Sequence, residues 1–553
     1  MNRNKHLLLW SSIGTLGLLI VAAVQENILK DWRRIQAAAS TIDGPIDVRL
    51  RQVISPDLKI TDRCVSCHVG MAPGEEPAVD GPTLATTTHP PVVHDPGEFG
   101  CTVCHGGQGR ATDMADAHGD VPHWPQPMIP LQYAQAGCGT CHTHVQVPRT
   151  ERLEEGERLI ARYDCFSCHR IDGRGGTLRP GGVGGMEGPD LSYAGAAGHD
   201  PQWYAKHLQQ HEAAEDGVWK DSFGPIPDDD LRTIDNYIAS RVGAPRLVKA
   251  KALFHSLGCR GCHKIDGVGS NDGPDLTRAG DMDPLFVDFS YVEGPHTIAR
   301  WHEEHLRDPA KIVPGSLMPN FGLNDDQIEL LTLYLMSLRR SPHPEAYWPK
   351  DRILAERFGE REFGTDGGTL YGTFCAACHG DSGQGVRYPD TVPFPSVSNP
   401  DFLAVASDQF LIDSIRTGRP GRRMPGWNEM LGGLRDEEIE ELVRYLRETG
   451  GVKAPEVDRT EPRWVSADWE FGRRLYDNHC GSCHGPEGEG TEAPQLSNVA
   501  FLAAADDTYL FETIARGRRG TPMPGYRSGS PIHPALTDAE IEALVAYLRT
   551  WEK

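Results

Sequence analysis

Residues 475–485, LYDNHCGSCHG, contain two cysteines that are separated by two residues and followed directly by a histidine. This Cys-x-x-Cys-His pattern occurs seven times, and the seven copies use all 14 cysteines of the chain. In c-type haem attachment, the two thiols add to the vinyl groups of one porphyrin and the histidine binds the iron. Disulfides, zinc sites or a thioredoxin-like motif would leave the fixed histidine unexplained. The sequence therefore predicts seven covalently bound haem c groups.

The predicted attachment and proximal ligands follow directly from the seven motifs. The cysteines that would form thioether bonds are Cys64, Cys67, Cys101, Cys104, Cys138, Cys141, Cys165, Cys168, Cys259, Cys262, Cys375, Cys378, Cys480 and Cys483. The histidines that would bind iron on the proximal side are His68, His105, His142, His169, His263, His379 and His484.

Length and composition limit the class of protein. With 553 residues the chain is too long for one hydrophobic core, and 24% charged residues exclude a polytopic membrane protein. A formal net charge of -23 makes nucleic acid or an anionic membrane surface a poor partner. Several soluble domains are expected, with one membrane span at most.

The N-terminus contains one uncharged apolar stretch, LLLWSSIGTLGLLIVAAV, at residues 7–24. It exceeds the apolar region of about 7–15 residues found in cleavable signal peptides and is just long enough to span a bilayer. We therefore predict an uncleaved signal-anchor helix at residues 1–30, although Val21-Ala22-Ala23 also fits a cleavage site. Arg3 and Lys5 precede the stretch, so the positive-inside rule places the remaining chain on the periplasmic side of the inner membrane.

The spacing of the motifs divides the rest of the chain. The first motifs follow one another too closely for independent haem domains, so a loop-rich module with three haems packed on each other is predicted at residues 31–148. Each later motif has enough chain around it for a helical domain with one haem. The predicted helical domains, the first to the fourth, are 149–243, 244–341, 342–450, which begins with a linker arm, and 451–553, which begins with a linker.

The helical domains repeat one pattern. A short helix precedes the cysteines, a loop rich in Gly and Pro follows, and an amphipathic helix ends the domain. The last helix, LTDAEIEALVAYLRTW at 536–551, has four apolar residues on one stripe and begins with a capping box formed by Thr537 and Glu540. Leu-Tyr stands five and four residues before the first cysteine in the third and fourth domains.

Three methionines are candidates for the sixth iron ligand. Met318, Met424 and Met523 each precede a proline ahead of the final helix of the second, third and fourth helical domains. A methionine is more often a core filler than a ligand. Three Met-Pro pairs at one repeat position favour ligation instead.

The first helical domain departs from this pattern. Aligning HLQQHEAAEDGVWKDSFG with HLRDPAKIVPGSLMPNFG places Lys220 where Met318 would be. His211 is our first choice for the sixth ligand there. His207, Met186 and Lys220 remain alternatives.

The N-terminal module is rich in histidines outside the motifs. His89, His94 and His118 are the favoured distal ligands for its three haems, and His123 is next. His144 lies two residues from the proximal His142, so it would serve only a neighbouring haem. The alternative is that these histidines are solvated surface residues.

The pattern from about residue 150 onward resembles the class I cytochrome c fold, and residues 55–148 resemble the bis-histidine modules of multihaem cytochromes. HPPVVHDPGEFGCTVCHGGQGRAT at 89–112 and AHG at 117–119 are similar to membrane-anchored multihaem cytochrome c subunits of quinol-oxidising cytochrome bc-type complexes. The resemblance implies a mainly α protein: a transmembrane helix, a loop-rich trihaem module and four single-haem class I domains.

The resemblance also implies a function in electron transport. Methionine ligation raises the reduction potential relative to histidine ligation, so electrons should run from the anchored end to the C-terminal domains. The implied donor is a cytochrome b/Rieske-type quinol-oxidising complex of a respiratory chain, and the acceptor is a soluble cytochrome or a terminal oxidase. The alternative is an oxidoreductase for nitrite, hydroxylamine or peroxide, with a five-coordinate haem at Cys165/Cys168.

Overall fold

A computed structural model describes residues 2–74, 83–90, 92–122, 124–142, 144–176, 188–197, 203, 206, 226–340, 342–389, 391–455, 468–531 and 533–552. Within these residues the chain is mainly helical, and its few strands form three two-stranded hairpins. This confirms the predicted fold class.

The helices of the described residues fall into four groups along the chain. The N-terminal helices are Asn2–Asn27, Asp31–Ile42, Pro96–Phe99, Thr102–His105 and Met114–His118. The first and second helical domains contain Thr150–Arg162, Asp228–Ala239, Pro245–Ser256, Ile298–Arg307, Pro309–Ile312 and Asp325–Ser337. The third contains Lys350–Phe358, Gly367–Phe374, Ala376–His379, Pro400–Val405, Asp408–Thr417 and Asp436–Gly450. The fourth contains Trp469–His479, Gly481–His484, Val499–Ala504, Asp507–Arg516 and Asp538–Arg549.

The hairpins are short and antiparallel. They pair Val53–Ser55 with Ile60–Asp62, Arg170–Ile171 with Arg174–Gly175, and Lys264–Ile265 with Val268–Gly269. The second and third hairpins follow a haem motif directly and turn through Asp-Gly. Asp172 and Asp266 both have positive φ, which Asp tolerates better than most residues and which a tight two-residue hairpin turn requires.

The N-terminal helix matches the predicted anchor. Residues Arg3–Asn27 form a helix long and apolar enough to cross a membrane, with a mean hydropathy of 2.2 and no burial against the other residues that the structure describes. Its length and composition suggest a membrane anchor.

The first and last helices of a helical domain cross in close contact. At Gly472, a Cβ atom would lie 1.9 Å from the carbonyl oxygen of Ala543 in the last helix. At Gly156, a Cβ atom would lie 2.4 Å from Cβ of Tyr237. A glycine at each crossing therefore lets the two backbones approach, which fixes how the haem motif sits after the first helix.

The predicted amphipathic stripe and cap are present in the last helix. Its four apolar stripe residues are at most 4% exposed, and they are Ile541, Leu544, Val545 and Leu548. Thr537 accepts a hydrogen bond from the Glu540 backbone, and the Glu540 side chain accepts one from the Thr537 backbone. The Asn324 and Gln327 pair forms the same box in the second domain.

Neighbouring domains share hydrophobic cores. Phe410 of the third helical domain stacks on Tyr509 of the fourth, with ring centroids 4.3 Å apart, inside one buried cluster. Tyr133 of the N-terminal module is buried in the core of the second domain and donates a hydrogen bond of 2.6 Å to Glu303. The haem motifs therefore lie in domains that pack on one another rather than in separate domains joined by linkers.

The predicted linker arm packs on its own chain. Its helix Lys350–Phe358 lies against the third haem motif, where Arg352 donates a hydrogen bond of 3.0 Å to the carbonyl of Thr140. The buried Glu362 accepts a hydrogen bond of 2.9 Å from the buried Lys251 ammonium. The arm thus joins the N-terminal module to the second and third helical domains.

Candidate haem-binding sites

Each of the seven motifs folds into the same single turn. The backbone N–H of the proximal histidine donates to the carbonyl of the first cysteine four residues earlier, at 2.8 to 3.0 Å in all seven copies. One helical turn places residues that are three and four apart on the same face. The two thiols and the imidazole are therefore presented together, as attachment to one porphyrin requires.

The proximal histidines of the four helical domains share a backbone tether. In each, Nδ1 lies 2.8 Å from a proline carbonyl, and the pairs are His169 with Pro189, His263 with Pro274, His379 with Pro395, and His484 with Pro494. A carbonyl can only accept, so Nδ1 carries the proton and Nε2 keeps a free lone pair. This tautomer is the one that binds a metal through Nε2.

Glycines next to two of these prolines complete the cradle. A Cβ atom at Gly273 would lie 2.5 Å from the ring of His263, and one at Gly188 would lie 2.5 Å from the ring of His169. Any larger residue would displace the imidazole from its tether. The Gly-Pro sequence after these two motifs therefore serves the proximal ligand.

The Leu-Tyr pairs before the last two motifs also have a structural role. Tyr371 and Tyr476 are each 1% exposed. Their hydroxyls donate to the carbonyls of Gly380 and Gly485, directly after the proximal histidines, at 2.9 and 2.7 Å. Each tyrosine therefore fixes the end of the motif against the preceding helix.

The ionisation of the motif side chains fits covalent haem attachment. Burial raises the pKa of Cys259, Cys375 and Cys480 to about 12, so these thiols are neutral before attachment. Burial also lowers the pKa of His263 and His379, which keeps their rings in the neutral, ligating form. Within the described ranges no group of three or more His, Cys, Asp or Glu side chains could hold a metal ion by itself.

In the N-terminal module, histidines outside the motifs approach proximal ones. The ring centroids of His89 and His105 are 6.0 Å apart, and those of His94 and His142 are 5.9 Å apart. Two imidazoles on opposite sides of one iron have centroids about 6 Å apart, because each metal–nitrogen bond is about 2.0 Å long. Both separations therefore leave room for one iron between the rings.

The remaining histidine candidates differ in their placement. His118 lies beside His68, whose pKa is lowered by burial and, to a smaller extent, by His118. His144 points to the linker arm, where its Nε2 lies 3.8 Å from Glu356 Oε1. His123, His211, His207, Met186 and Lys220 lie outside the described residues.

The Met-Pro loops of the third and fourth domains share one backbone hydrogen bond. The carbonyl of Met424 accepts a hydrogen bond of 2.8 Å from the Arg419 backbone, and that of Met523 accepts one of 3.0 Å from the Arg518 backbone. Met318 and Met424 are partly buried and pack on the cores of their domains. The three methionines thus lie in the repeated loop that the sequence predicts, and their ligation remains a prediction.

Thiols of different motifs meet in two places. The Cys64 thiol lies beside Cys101 in the N-terminal module, and the Cys262 thiol lies beside Cys378 between the second and third helical domains; in each pair the neighbouring cysteine lowers the pKa of the first. A Cβ atom at Gly137 would lie 1.8 Å from the Cys104 carbonyl oxygen, so the second and third motifs also pack together. Porphyrins attached at these cysteines would have adjacent edges.

Several site residues are not evident from the sequence. The proline acceptors are backbone carbonyls, which a sequence pattern does not mark. The number of residues between the histidine and the proline also differs between domains. Asp351 of the linker arm lies 4.0 Å from Nδ1 of His142, far away in sequence. A Gly-Pro pair shortly after the motif is the one sequence pattern that indicates the proline acceptor, and it is present at two of the four histidine–proline hydrogen bonds.

Together these features define a membrane-anchored multihaem c-type cytochrome, an electron-transfer protein with class I cytochrome c domains in its C-terminal part. The family model for cytochrome c matches residues 247–339 and 470–552. The model for cytochrome c oxidase, cbb3-type, subunit III matches residues 363–446. The matched segments fall within the predicted second, fourth and third helical domains.

The chain is related to subunits of cbb3-type cytochrome c oxidases. It is 28% identical over 193 residues to the subunit FixP of Bradyrhizobium diazoefficiens, which covers 33% of this chain and 59% of that protein. It is 28% identical over 196 residues to the subunit CcoP of Rhodobacter capsulatus, covering 33% of this chain and 61% of that protein. The chain thus spans about three fifths of the length of these relatives.

A thiosulfate dehydrogenase structure (TsdBA) from Marichromatium purpuratum also aligns, at 16% identity over 72% of this chain and 90% of that chain. Its TM-score is 0.17, and a likeness this weak supports no inference.

Proposed function

We propose that this chain carries electrons along seven haems from a membrane enzyme to a soluble or membrane-bound acceptor. The observation that supports this most directly is the common turn of all seven motifs, each presenting two thiols and one imidazole on one face. When bound, haem iron supplies a one-electron couple. The residues of the chain would hold the haem and shield it from solvent.

The packing of the motifs supports transfer along the chain. Cys64 meets Cys101, Gly137 packs on Cys104, and Cys262 meets Cys378. Neighbouring groups in such contact exchange electrons without a diffusing carrier.

We propose a set of ligands that gives this path a direction. His118, His89 and His94 would be the distal ligands opposite His68, His105 and His142. Met318, Met424 and Met523 would be the sixth ligands of the last three domains. Methionine ligation raises the potential relative to histidine, so electrons would move from the anchored module towards the C-terminus.

The anchor, the sequence resemblance and the relatives support the proposed partners. The helix Arg3–Asn27 would hold the haem domains at the periplasmic face of the inner membrane. A cytochrome b/Rieske-type quinol-oxidising complex would be the electron donor. The relation to cbb3-type oxidase subunits favours a terminal oxidase as acceptor, with a soluble cytochrome c as the alternative.

Intact-protein mass spectrometry of the detergent-purified protein tests the haem count. Seven added haems and no free thiols are expected, and fewer than seven would contradict the proposal.

A redox titration tests the direction of electron transfer: the methionine-ligated haems should be reduced first. Identification of the proteins that co-purify in mild detergent tests the partners, and high-spin iron that binds CO at the Cys165 motif would favour the enzyme alternative.

A further inference from the structure

The contact between the second and third helical domains brings two haem motifs together. The Cys262 and Cys378 thiols lie next to each other, and Cys378 lowers the pKa of Cys262; both residues are partly buried. A Cβ atom at Gly258 would lie 2.4 Å from the backbone nitrogen of Ala377, so the two motif backbones are in close contact as well. This junction is therefore tightly fixed.

An ion pair spans the same junction. The Arg423 guanidinium of the third domain donates to Asp272 of the second, with Nε and Nη2 each 2.7 Å from Oδ2. The side chains are 33% and 28% exposed, so the pair is partly shielded from water. Arg423 also lies near the Cys262 thiol, whose pKa it helps to lower. Its charge thus lies at the point where the two attached porphyrins would meet.

Both partners of the ion pair belong to loops that carry predicted ligands. Asp272 directly precedes Gly273 and Pro274, whose carbonyl holds His263. Arg423 directly precedes Met424, the predicted sixth ligand of the neighbouring haem. The ion pair therefore connects the proximal loop of one site with the distal loop of the next.

We propose that Arg423 and Asp272 form an ion pair that sets the reduction potentials of the haems of the second and third helical domains. This inference rests on the proposed electron-transfer function. His379 and His263 would hold the two haem irons, which would supply a one-electron couple at each site.

The two residues should shift the potentials in opposite directions. A positive charge stabilises the reduced iron, so loss of Arg423 should lower both potentials. Loss of the Asp272 carboxylate should raise them. At an effective dielectric constant of about 20 and a separation of about 10 Å, one unit charge changes a reduction equilibrium on the order of tenfold after partial screening. This corresponds to about 59 mV for a one-electron couple.

The test compares detergent-purified full-length variants by optical and EPR redox titration. Arg423→Gln is expected to lower, and Asp272→Asn to raise, the potentials of two of the haems by about 59 mV. Arg423→Lys keeps the positive charge, so its two potentials should stay close to those of the wild-type protein. The matched control is Arg422→Gln, because Arg422 instead donates to Gln495 at 2.9 Å and to the Gly490 carbonyl. This control should leave both potentials unchanged.

The outcomes separate this inference from the function on which it rests. Opposite shifts in the Arg423 and Asp272 variants, with all haems present by mass spectrometry, support the pair. Unchanged potentials, or shifts in the same direction, with all haems present overturn it and leave the proposed function intact. A wild-type protein without haem at Cys259/Cys262 or Cys375/Cys378 overturns both.

Discussion

Replacing Glu362 by glutamine should strongly destabilise the junction of the N-terminal module with the second and third domains. Glu362 hydrogen-bonds Lys251 at 2.9 Å and also pairs with Arg260, and the three side chains are 8%, 6% and 1% exposed. Glutamine leaves both cations buried without the carboxylate that neutralises one of their charges. Removing one member of a buried ion pair costs about 3–5 kcal/mol. This is a large share of a typical unfolding free energy of about 5–15 kcal/mol.

Denaturant unfolding followed by circular dichroism measures this loss, and amide hydrogen exchange locates it. We expect a lower unfolding midpoint and faster exchange in the helix Pro245–Ser256, which contains Lys251. Glu360→Gln is the matched control, since Glu360 is exposed two residues away on the same segment. Equal midpoints and equal exchange rates for the Glu362 variant and this control would refute the argument from the buried charge network.

Three further changes test the ligands. His94→Ala should turn one low-spin haem into a high-spin one, visible by EPR; an unaltered spectrum would exclude His94 as a ligand of the haem bound by His142. Asp351→Asn should raise the potential of that same haem, because a carboxylate 4.0 Å from Nδ1 of His142 stabilises the ferric state, and titration would show a drop or no shift if Asp351 has no such effect. Met424→His should lower one high potential, since histidine ligation favours ferric iron, with unchanged potentials arguing for a core-filling Met424.

Local patterns in the sequence were sufficient for much of the fold. The capping box at Thr537 and the buried stripe that includes Ile541 follow from spacing within one helix, and both are present in the structure. The placement of two thiols and an imidazole on one turn follows from the five-residue motif in the same way. These features depend on contacts between residues less than one or two turns apart.

Longer-range features could not be predicted. The residues between Pro344 and Glu362 combine proline and charge, which is typical of a solvated linker. Glu362 is nevertheless buried against Lys251, and this contact could not be predicted because Lys251 lies more than a hundred residues earlier. The pairing of His94 with His142 depends on irregular loops, whose path no periodicity encodes. The sequence identified the histidines as a group, and the structure shows which proximal ring each of two approaches.

The core shared by the third and fourth helical domains affects how the protein is made. Phe402 and Phe410 are covered by the fourth domain, with Tyr509 stacked on Phe410 and the Arg518 guanidinium 4.8 Å from the Phe402 ring centroid. A nascent chain emerges from its N-terminus, so these aromatic rings stay uncovered until the last hundred or so residues have been synthesised. Completion of the third domain must therefore await the C-terminus, and a chaperone or the haem-attachment machinery would encounter this surface first.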